Sequence, residues 1–183
     1  MSAAAEGSPT GQAVEAAVGL GTNVGDRLGA LRAAVAALDA HGAIDVLAAS
    51  AVYRTEALVP PGADPQPDHL NAAVRLRTAL APHALLDVLR AIERAAGRDP
   101  SAPRWSPRPL DLDLLLYGAR RIATDRLTVP HPALAVRRFV LAPLADVAAS
   151  RAVPGLGATV AELLAACPDR LRVERTALVL RGD

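Results

Sequence analysis

The run Leu110–Tyr117 (LDLDLLLY) alternates aspartate with leucine, and it restricts the possible folds more than any other segment. In a β-strand, residues two apart share a face, so Asp111 and Asp113 point the same way with Cα atoms about 6.5–7 Å apart. Aspartate is depleted in strands, and adjacent like charges repel each other. A cation between the carboxylates relieves this repulsion, and the spacing suits one or two Mg²⁺ ions. The alternative is a solvated edge of a sheet.

Three arginines precede the acidic pair in the proline-rich segment Arg98–Pro109. Arg98, Arg104 and Arg108 can bind phosphate oxygens while metal ions bind others, so the cluster predicts an anionic ligand bridged by metal. A surface network of salt bridges is the alternative. All 20 cationic side chains are arginine, which excludes a Schiff-base lysine and a P-loop lysine. Trp105 in this segment is either a lid anchor or a side chain that fills the core.

Strand and helix patterns alternate along the chain and predict an α+β fold, with helices packed on a largely antiparallel sheet. His69–Thr78 alternates with period two, as a strand with one apolar face does. The clearest helix is Pro82–Gly97, which begins at a proline and ends at a glycine. The other predicted strands are Ala13–Leu20, Ile44–Thr55, Leu110–Tyr117 and Leu171–Leu180, and further helices are predicted after Asp26, in Arg138–Val147 and in Thr159–Ala166.

The segment Gly19–Arg27 (GLGTNVGDR) is predicted to be a strand-to-helix turn. It lacks GxxxxGK[ST] and misses GxGxxG by one position, so it is neither a P-loop nor a dinucleotide fingerprint. Asn23 is the predicted N-cap of the helix that follows, with Asp26 as the acid in its first turn.

Length and composition indicate one globular domain. The 183 residues are 51% apolar and 21% charged, which suits a single packed core. Residues 1–12 are predicted to be a disordered tail and residues 13–183 the domain. The net charge of +1 excludes a strongly basic nucleic-acid footprint, and the single Cys167 excludes an internal disulfide. No apolar run reaches the roughly 20 residues of a membrane span.

Several other polar side chains are candidates for a site. Glu93 lies beside the apolar stripe of its helix and needs a partner there, unless it is a boundary residue that reaches solvent. Asn71 offers a donor and an acceptor to the amide edge of a heterocycle, and His69 on the same strand face could stack on its ring. An ordinary exposed strand face is the alternative. His131, held between two prolines, and Arg137 either face phosphate or pack within a turn.

Together these segments resemble one family, the 6-hydroxymethyl-7,8-dihydropterin pyrophosphokinases (HPPK) of folate biosynthesis. The combination of GR, W-x-PR, LDLDLL and VPHP at these spacings is highly specific, and the resemblance runs from about Val14 to Val147. It implies a ferredoxin-like α+β sandwich as the fold. It also implies an enzyme that transfers the pyrophosphoryl group of ATP to the pterin hydroxymethyl oxygen and releases AMP. We therefore expect a monomeric, cytoplasmic enzyme whose partners are ATP and the reduced pterin, with no nucleic acid and no membrane.

The resemblance also implies a role for each matching residue. Asp111 and Asp113 would hold two Mg²⁺ ions against ATP, the co-substrate, and Arg98 and Arg108 would grip the transferring phosphates. These four are the predicted catalytic residues. Phe139 and His69 would stack on the two faces of the pterin. The full set expected at the ATP side is Glu93, Arg98, Arg108, Arg126, His131 and Arg137, and the set expected at the pterin is Thr55, Leu58, His69, Asn71, Trp105 and Phe139.

Three positions depart from the family's pattern. His69 stands where an aromatic ring is usual, so stacking is expected to be weaker or sensitive to pH. Asp99-Pro100-Ser101 replaces further basic residues, which predicts a weaker grip on ATP. EALVPP replaces a TPP-like opening at the rim of the pterin pocket.

Two other functions compete with this interpretation. One is a different Mg²⁺-dependent phosphotransferase or a nucleotide hydrolase that uses the same acids. The other is a non-catalytic protein that binds pterin or nucleotide, and the presence of both aspartates and both arginines argues against it.

Overall fold

The computed structural model describes residues 12–57, 62, 64, 66–99, 101 and 106–181. Within them the helices are α1 (Arg27–Asp39), α2 (Pro82–Ala95), α3 (Arg138–Ala148) and α4 (Val160–Ala166). The strands are β1 (Val14–Thr22), β2 (Ile44–Ala49), β3 (Tyr53–Thr55), β4 (His69–Thr78), β5 (Asp111–Tyr117), β6 (Ile122–Ala123), β7 (Thr128–Val129), β8 (Ala152–Val153), β9 (Ala158–Thr159) and β10 (Val173–Arg175). None of these helices combines the length and the apolar character that crossing a bilayer requires.

A sheet of antiparallel pairs organises the described residues. Its strand order is β10-β3-β4-β1-β5, and β2 pairs with the other half of the β4 edge that β3 also uses. The segment between β2 and β3 stays attached because the Ser50 backbone N donates to the Ala73 carbonyl at 2.9 Å. The predicted α+β class and antiparallel sheet are confirmed.

Each face of the sheet buries its own apolar cluster. Alternate β4 residues such as Leu76 face α1 and α2, whereas Ala73 faces α3 and α4. On α2, Leu85 and Leu89 are fully buried. Burial of a leucine stabilises the fold by about 1.5–3 kcal/mol. The α3 side covers only part of the sheet, and the remainder is the location of the site described below.

The end of α2 is a Schellman turn that fixes the following residue. Gly97 has φ +86°, its backbone N donates to the Arg94 carbonyl at 3.0 Å, and the Arg98 N donates to the Glu93 carbonyl at 3.1 Å. Glycine adopts a positive φ without strain, so it suits this position. The side chain of Arg98 therefore starts from a defined point beside β5.

Some predicted boundaries were wrong. Asn23 is not the N-cap of α1, because Asp26 takes that position and accepts from the Gly29 N at 3.0 Å. No acid lies in the first turn of α1. Ile44–Thr55 is two strands, and the predicted last strand shortens to β10. Strand β1 continues to Thr22, so Gly19 and Gly21 of the predicted turn lie inside the strand, and only Gly25 lies beyond it.

Candidate active site

Two glycines of β1 form the floor of a cleft beside α3. Gly21 lies opposite Asn71 of β4 and Asp111 of β5, and Gly19 lies opposite Asp113. Because a glycine carries no side chain, the sheet is open between the flanking polar groups. The resulting cavity has a volume of about 450 Å³.

Most of the predicted site residues line this cavity. They are Thr55, His69, Asn71, Arg98, Arg108, Asp111, Asp113, His131, Arg137 and Phe139. They come from β3, β4, β5, the segment before β5, the turn before α3 and the start of α3, so the fold gathers side chains that are far apart in the sequence.

Arg98 links helix α2 to the acidic strand. Its Nη1 donates to Oδ1 of Asp111 at 2.6 Å and also to Oε1 of Glu93. The same Glu93 oxygen accepts from the Leu112 backbone N at 2.8 Å. A single guanidinium nitrogen therefore contacts both carboxylates.

Glu93 lies buried beneath the cavity, with 4% of its surface exposed, and does not reach solvent as a boundary residue would. Burial raises the pKa of its carboxyl to about 7. The hydrogen bond from Leu112 and the charge of Arg98 oppose this rise, and the charge of Asp111 adds to it. Glu93 supports Arg98 from below, and its expected contact with ATP stays a prediction.

Asp113 carries a carboxylate that the surrounding protein leaves incompletely compensated. Burial and the charge of Asp111 raise its pKa, and the charges of His131, Arg98 and Arg137 act in the opposite direction. No described residue donates a hydrogen bond that contributes to this balance. Asp113 is half-buried and lines the cavity, and a carboxylate there without such a donor favours a cation as its partner.

The donor set fits Mg²⁺. Asp111 and Asp113 share one strand face, and the carboxylate oxygens of Asp111 keep free lone pairs beside their hydrogen bonds to arginine. Within the described part of the chain, no cluster of three or more His, Cys, Asp or Glu side chains surrounds a common point. Phosphate oxygens and water would therefore have to complete the octahedral coordination of the metal.

Arg108 reaches the same acid from the other side. Its Nη1 donates to Oδ2 of Asp111 at 3.0 Å, so the two arginines hold the two carboxylate oxygens of one aspartate. Its backbone N donates to Oδ1 of Asn23 at 2.9 Å. Sequence reasoning missed Asn23 as a site residue because it treated this asparagine as a helix cap.

The other end of the cleft presents an amide. Nδ2 of Asn71 donates to Oγ1 of Thr55 at 2.6 Å, and both side chains are buried. This bond orients the Asn71 side chain, whose Oδ1 lies above Gly21. An oriented amide can read the donor and acceptor edge of a heterocycle.

With the pterin that the resemblance implies as substrate, Gly21→Ala should raise its KM about tenfold, the effect of losing one buried hydrogen bond. A Cβ at this position would lie 2.9 Å from Oδ1 of Asn71 and would displace the amide. Steady-state kinetics with each substrate varied in turn should show little change in the KM for ATP. Gly42→Ala is the matched control, since a Cβ there meets no atom within 4 Å. An unchanged KM for the pterin in Gly21→Ala would contradict this placement.

His69 is uncharged at neutral pH. Burial lowers the pKa of its imidazole, the charge of Arg108 lowers it further, and the charges of Asp111 and Asp68 oppose this. The ordinary value is already below 7, so the ring is neutral there and can present an uncharged face to a ligand.

The turn before α3 presents an imidazole and a guanidinium to the cleft, and the first turn of α3 presents an aromatic ring. The His131 backbone N donates to the Leu115 carbonyl at 3.0 Å, which fixes the turn against β5. The guanidinium carbon of Arg137 lies 5.7 Å from the centroid of the Phe139 ring, within the range of a cation–π contact. In the segment before β5, Asp99 follows Arg98 and accepts from the Ser101 N and Oγ at 2.8 and 2.7 Å.

Among the described residues, two of the predicted site residues are not in the cavity lining. Glu93 lies below it, and Arg126 is exposed and paired with Asp87 of α2. Leu58 and Trp105 lie outside the described residues. Among lining residues that sequence reasoning missed are Gly19, Gly21 and Gln66. Two glycines that are two residues apart in a strand indicate that a ligand approaches the backbone closely, so the sequence could have revealed Gly19 and Gly21 but not Gln66.

Comparison with known proteins identifies the family. The family model of 7,8-dihydro-6-hydroxymethylpterin-pyrophosphokinase (HPPK) matches residues 17–149. The chain is 44% identical over 149 residues to the Synechocystis 2-amino-4-hydroxy-6-hydroxymethyldihydropteridine pyrophosphokinase, covering 81% of this chain and 74% of the relative. It is 45% identical over 130 residues to the Bacillus subtilis protein of the same name, covering 71% and 75%.

Longer proteins contain a related region. A folate synthesis bifunctional protein of Arabidopsis thaliana is 45% identical over 132 residues, which cover 72% of this chain and 26% of that protein. A crystal structure of Plasmodium falciparum HPPK-DHPS superposes with a TM-score of 0.67 at 14% identity, covering 87% of this chain and 44% of that one. This chain thus spans about a quarter of the first and less than half of the second. The second match confirms the expected ferredoxin-like fold, and the chain belongs to the 7,8-dihydro-6-hydroxymethylpterin-pyrophosphokinase family.

Proposed function

We propose that the cleft above Gly19 and Gly21 is where this chain carries out the reaction of its family. That reaction transfers pyrophosphate from ATP to 6-hydroxymethyl-7,8-dihydropterin in folate biosynthesis. One observation carries the proposal: Asp111 and Asp113 face the same cavity as two arginines, and the opposite end of that cavity presents the buried amide of Asn71.

The acidic end is the proposed phosphate end. Asp111 and Asp113 would hold two Mg²⁺ ions, which supply charge neutralisation and orientation to the triphosphate when bound. Arg98 and Arg108 are the proposed ligands of the transferring phosphates, because guanidinium groups bind phosphate oxygens in a defined geometry. Glu93, Arg126, His131 and Arg137 complete the proposed ATP side.

The amide end is the proposed pterin end. Asn71 would read the donor and acceptor edge of the ring, together with the backbone near Thr55 and the predicted contact Leu58. His69 and Phe139 would stack on the two ring faces, and Trp105 would close over the substrates. The neutral state of His69 supports this role, since an uncharged ring loses less hydration on stacking.

Catalysis by this arrangement rests on position and charge. The substrate hydroxyl would attack the β-phosphorus of ATP in line with the departing AMP, and no side-chain nucleophile is needed. The two arginines would balance charge on the phosphates from opposite sides of Asp111. The proline-bearing segments Glu56–Pro67 and Arg98–Pro109 are the proposed lids that exclude water and so prevent hydrolysis of ATP.

Separation of the nucleotide products tests the proposal. With ATP, Mg²⁺ and the reduced pterin, we expect AMP and the pterin pyrophosphate in equal amounts. ADP as the product would support another phosphotransferase, free phosphate without pterin consumption would support a hydrolase, and binding without turnover would support a non-catalytic relative. Each of these three results would overturn the proposed reaction.

We further infer a cytoplasmic monomer as the working form. The residues proposed for both substrates come from one chain, so no second copy is required to complete the cleft. Light scattering in solution checks the oligomeric state, and a mass of 18.9 kDa is expected for the monomer.

A further inference from the structure

Asn23 joins the two loop segments that border the cleft. It lies between β1 and α1 with 2% of its surface exposed. Its Oδ1 accepts from the Arg108 backbone N at 2.9 Å, and its Nδ2 donates to Oε1 of Gln66 at 3.0 Å. Its own backbone N donates to the Arg108 carbonyl at 3.3 Å. One buried side chain therefore contacts both segment 56–68 and segment 98–110.

These contacts hold the backbone of Arg108 on both sides. The amide N and the carbonyl of Arg108 are both bonded to Asn23, so the guanidinium that meets Asp111 at 3.0 Å extends from a fixed point. A buried polar group that loses its partner costs about 1–3 kcal/mol, which makes the alternative positions of this backbone unfavourable.

The first residue of α1, Arg27, holds segment 56–68 at a second point. Nη1 of Arg27 donates to the Asp68 carbonyl at 2.7 Å, directly before His69. Gln66 and His69 both line the cavity. The turn after β1 and the first residue of α1 thus contact the pterin end through Gln66 and Asp68, and the phosphate end through Arg108.

We propose that Asn23 is a positioning residue of this enzyme, which sets Arg108 at the phosphate end and Gln66 at the pterin end through one amide. The inference rests on the proposed function of the cleft. An amide suits the task because its oxygen accepts from Arg108 while its nitrogen donates to Gln66, whereas an ionised carboxylate in its place can only accept.

Asn23→Ala is the first test. It should lower kcat at least about tenfold and raise the KM for the pterin, because one buried hydrogen bond at each end is lost. Thr22→Val is the matched control: the adjacent Thr22 is fully buried, and its hydroxyl has no hydrogen-bond partner among the described residues. The control should keep both kinetic constants. A folded Asn23→Ala protein with wild-type kcat and KM would overturn the proposal.

If Asn23→Ala fails to fold, a double-mutant cycle that introduces negative charges at Asn23 and Gln66 still tests the proposal. Asn23→Asp keeps an acceptor for Arg108 and can accept from a reoriented Gln66 amide, and Gln66→Glu keeps an acceptor for Asn23. The KM for the pterin is measured first in each single variant, which gives the two single effects. The double variant Asn23→Asp/Gln66→Glu places two carboxylates together and should raise that KM at least about tenfold above the product of the two single effects.

The outcomes separate the two hypotheses. A double variant whose effect equals the product of the single effects would show that Asn23 and Gln66 act independently, against this inference. Failure of the wild-type protein to form AMP in the same assay would instead count against the proposed function. A purely structural role would lower the melting temperature of Asn23→Ala and leave its KM values unchanged.

Discussion

Asp113→Asn should reduce turnover by at least about a thousandfold and leave the fold intact. The variant keeps the volume of the side chain and removes its charge, so Asp111 alone would face the phosphates from this strand. Loss of several kcal/mol of charge stabilisation in the transition state corresponds to a loss of this size. The measurement is kcat at saturating ATP, pterin and Mg²⁺, with thermal unfolding recorded in parallel.

The thermal stability of Asp113→Asn, unlike its turnover, should not fall. Burial and the charge of Asp111 raise the pKa of Asp113, so the ionised carboxyl destabilises the metal-free protein at neutral pH. Asp113→Asn should therefore unfold at the same temperature as the wild type or higher in a buffer with chelator. Asp45→Asn is the matched control, because Asp45 is an exposed strand residue on β2. Near wild-type turnover in Asp113→Asn, or its unfolding, would contradict the metal assignment.

Periodicity predicted most of the sheet and the helices, because each element has a clear apolar face. The shared face of Asp111 and Asp113 followed from strand geometry alone. The choice between Asn23 and Asp26 as N-cap did not, because both residue types cap helices and the choice depends on where β1 ends. That end is set by pairing with β4, which lies far along the chain.

At the candidate site, too, the features set by long-range contacts could not be predicted from the sequence. The position of Glu93 beside an apolar stripe was predictable, but its contacts with Arg98 and Leu112 depend on how α2 packs against β5. The resemblance placed Arg126 near ATP, and the structure pairs it with Asp87 on α2. Such long-range pairs leave no local pattern in the sequence.

Arg98→Lys should lower kcat about a hundredfold and leave stability nearly unchanged. Both carboxylates of the network, Glu93 and Asp111, contact the same nitrogen of Arg98, Nη1. The ammonium of lysine ends one bond short of Nη1 but keeps a positive charge beside both carboxylates, so the buried Glu93 keeps a cationic partner. Nη2 and Nε of the guanidinium, which neither carboxylate uses, would have no counterpart in lysine. Loss of preorganised donors to a transferring phosphate typically costs about a hundredfold or more.

Arg98→Ala separates the structural and catalytic contributions of this side chain. It removes the donors to phosphate and also leaves the buried Glu93 without its cation, so both turnover and melting temperature should fall. Arg94→Lys, on an exposed position of the last turn of α2, is the control and should match the wild type. If Arg98→Lys retained half of the wild-type kcat, the guanidinium would serve only to hold α2 against β5. If it lost turnover at unchanged stability, the spare donors of Arg98 would be the groups that act on the phosphates.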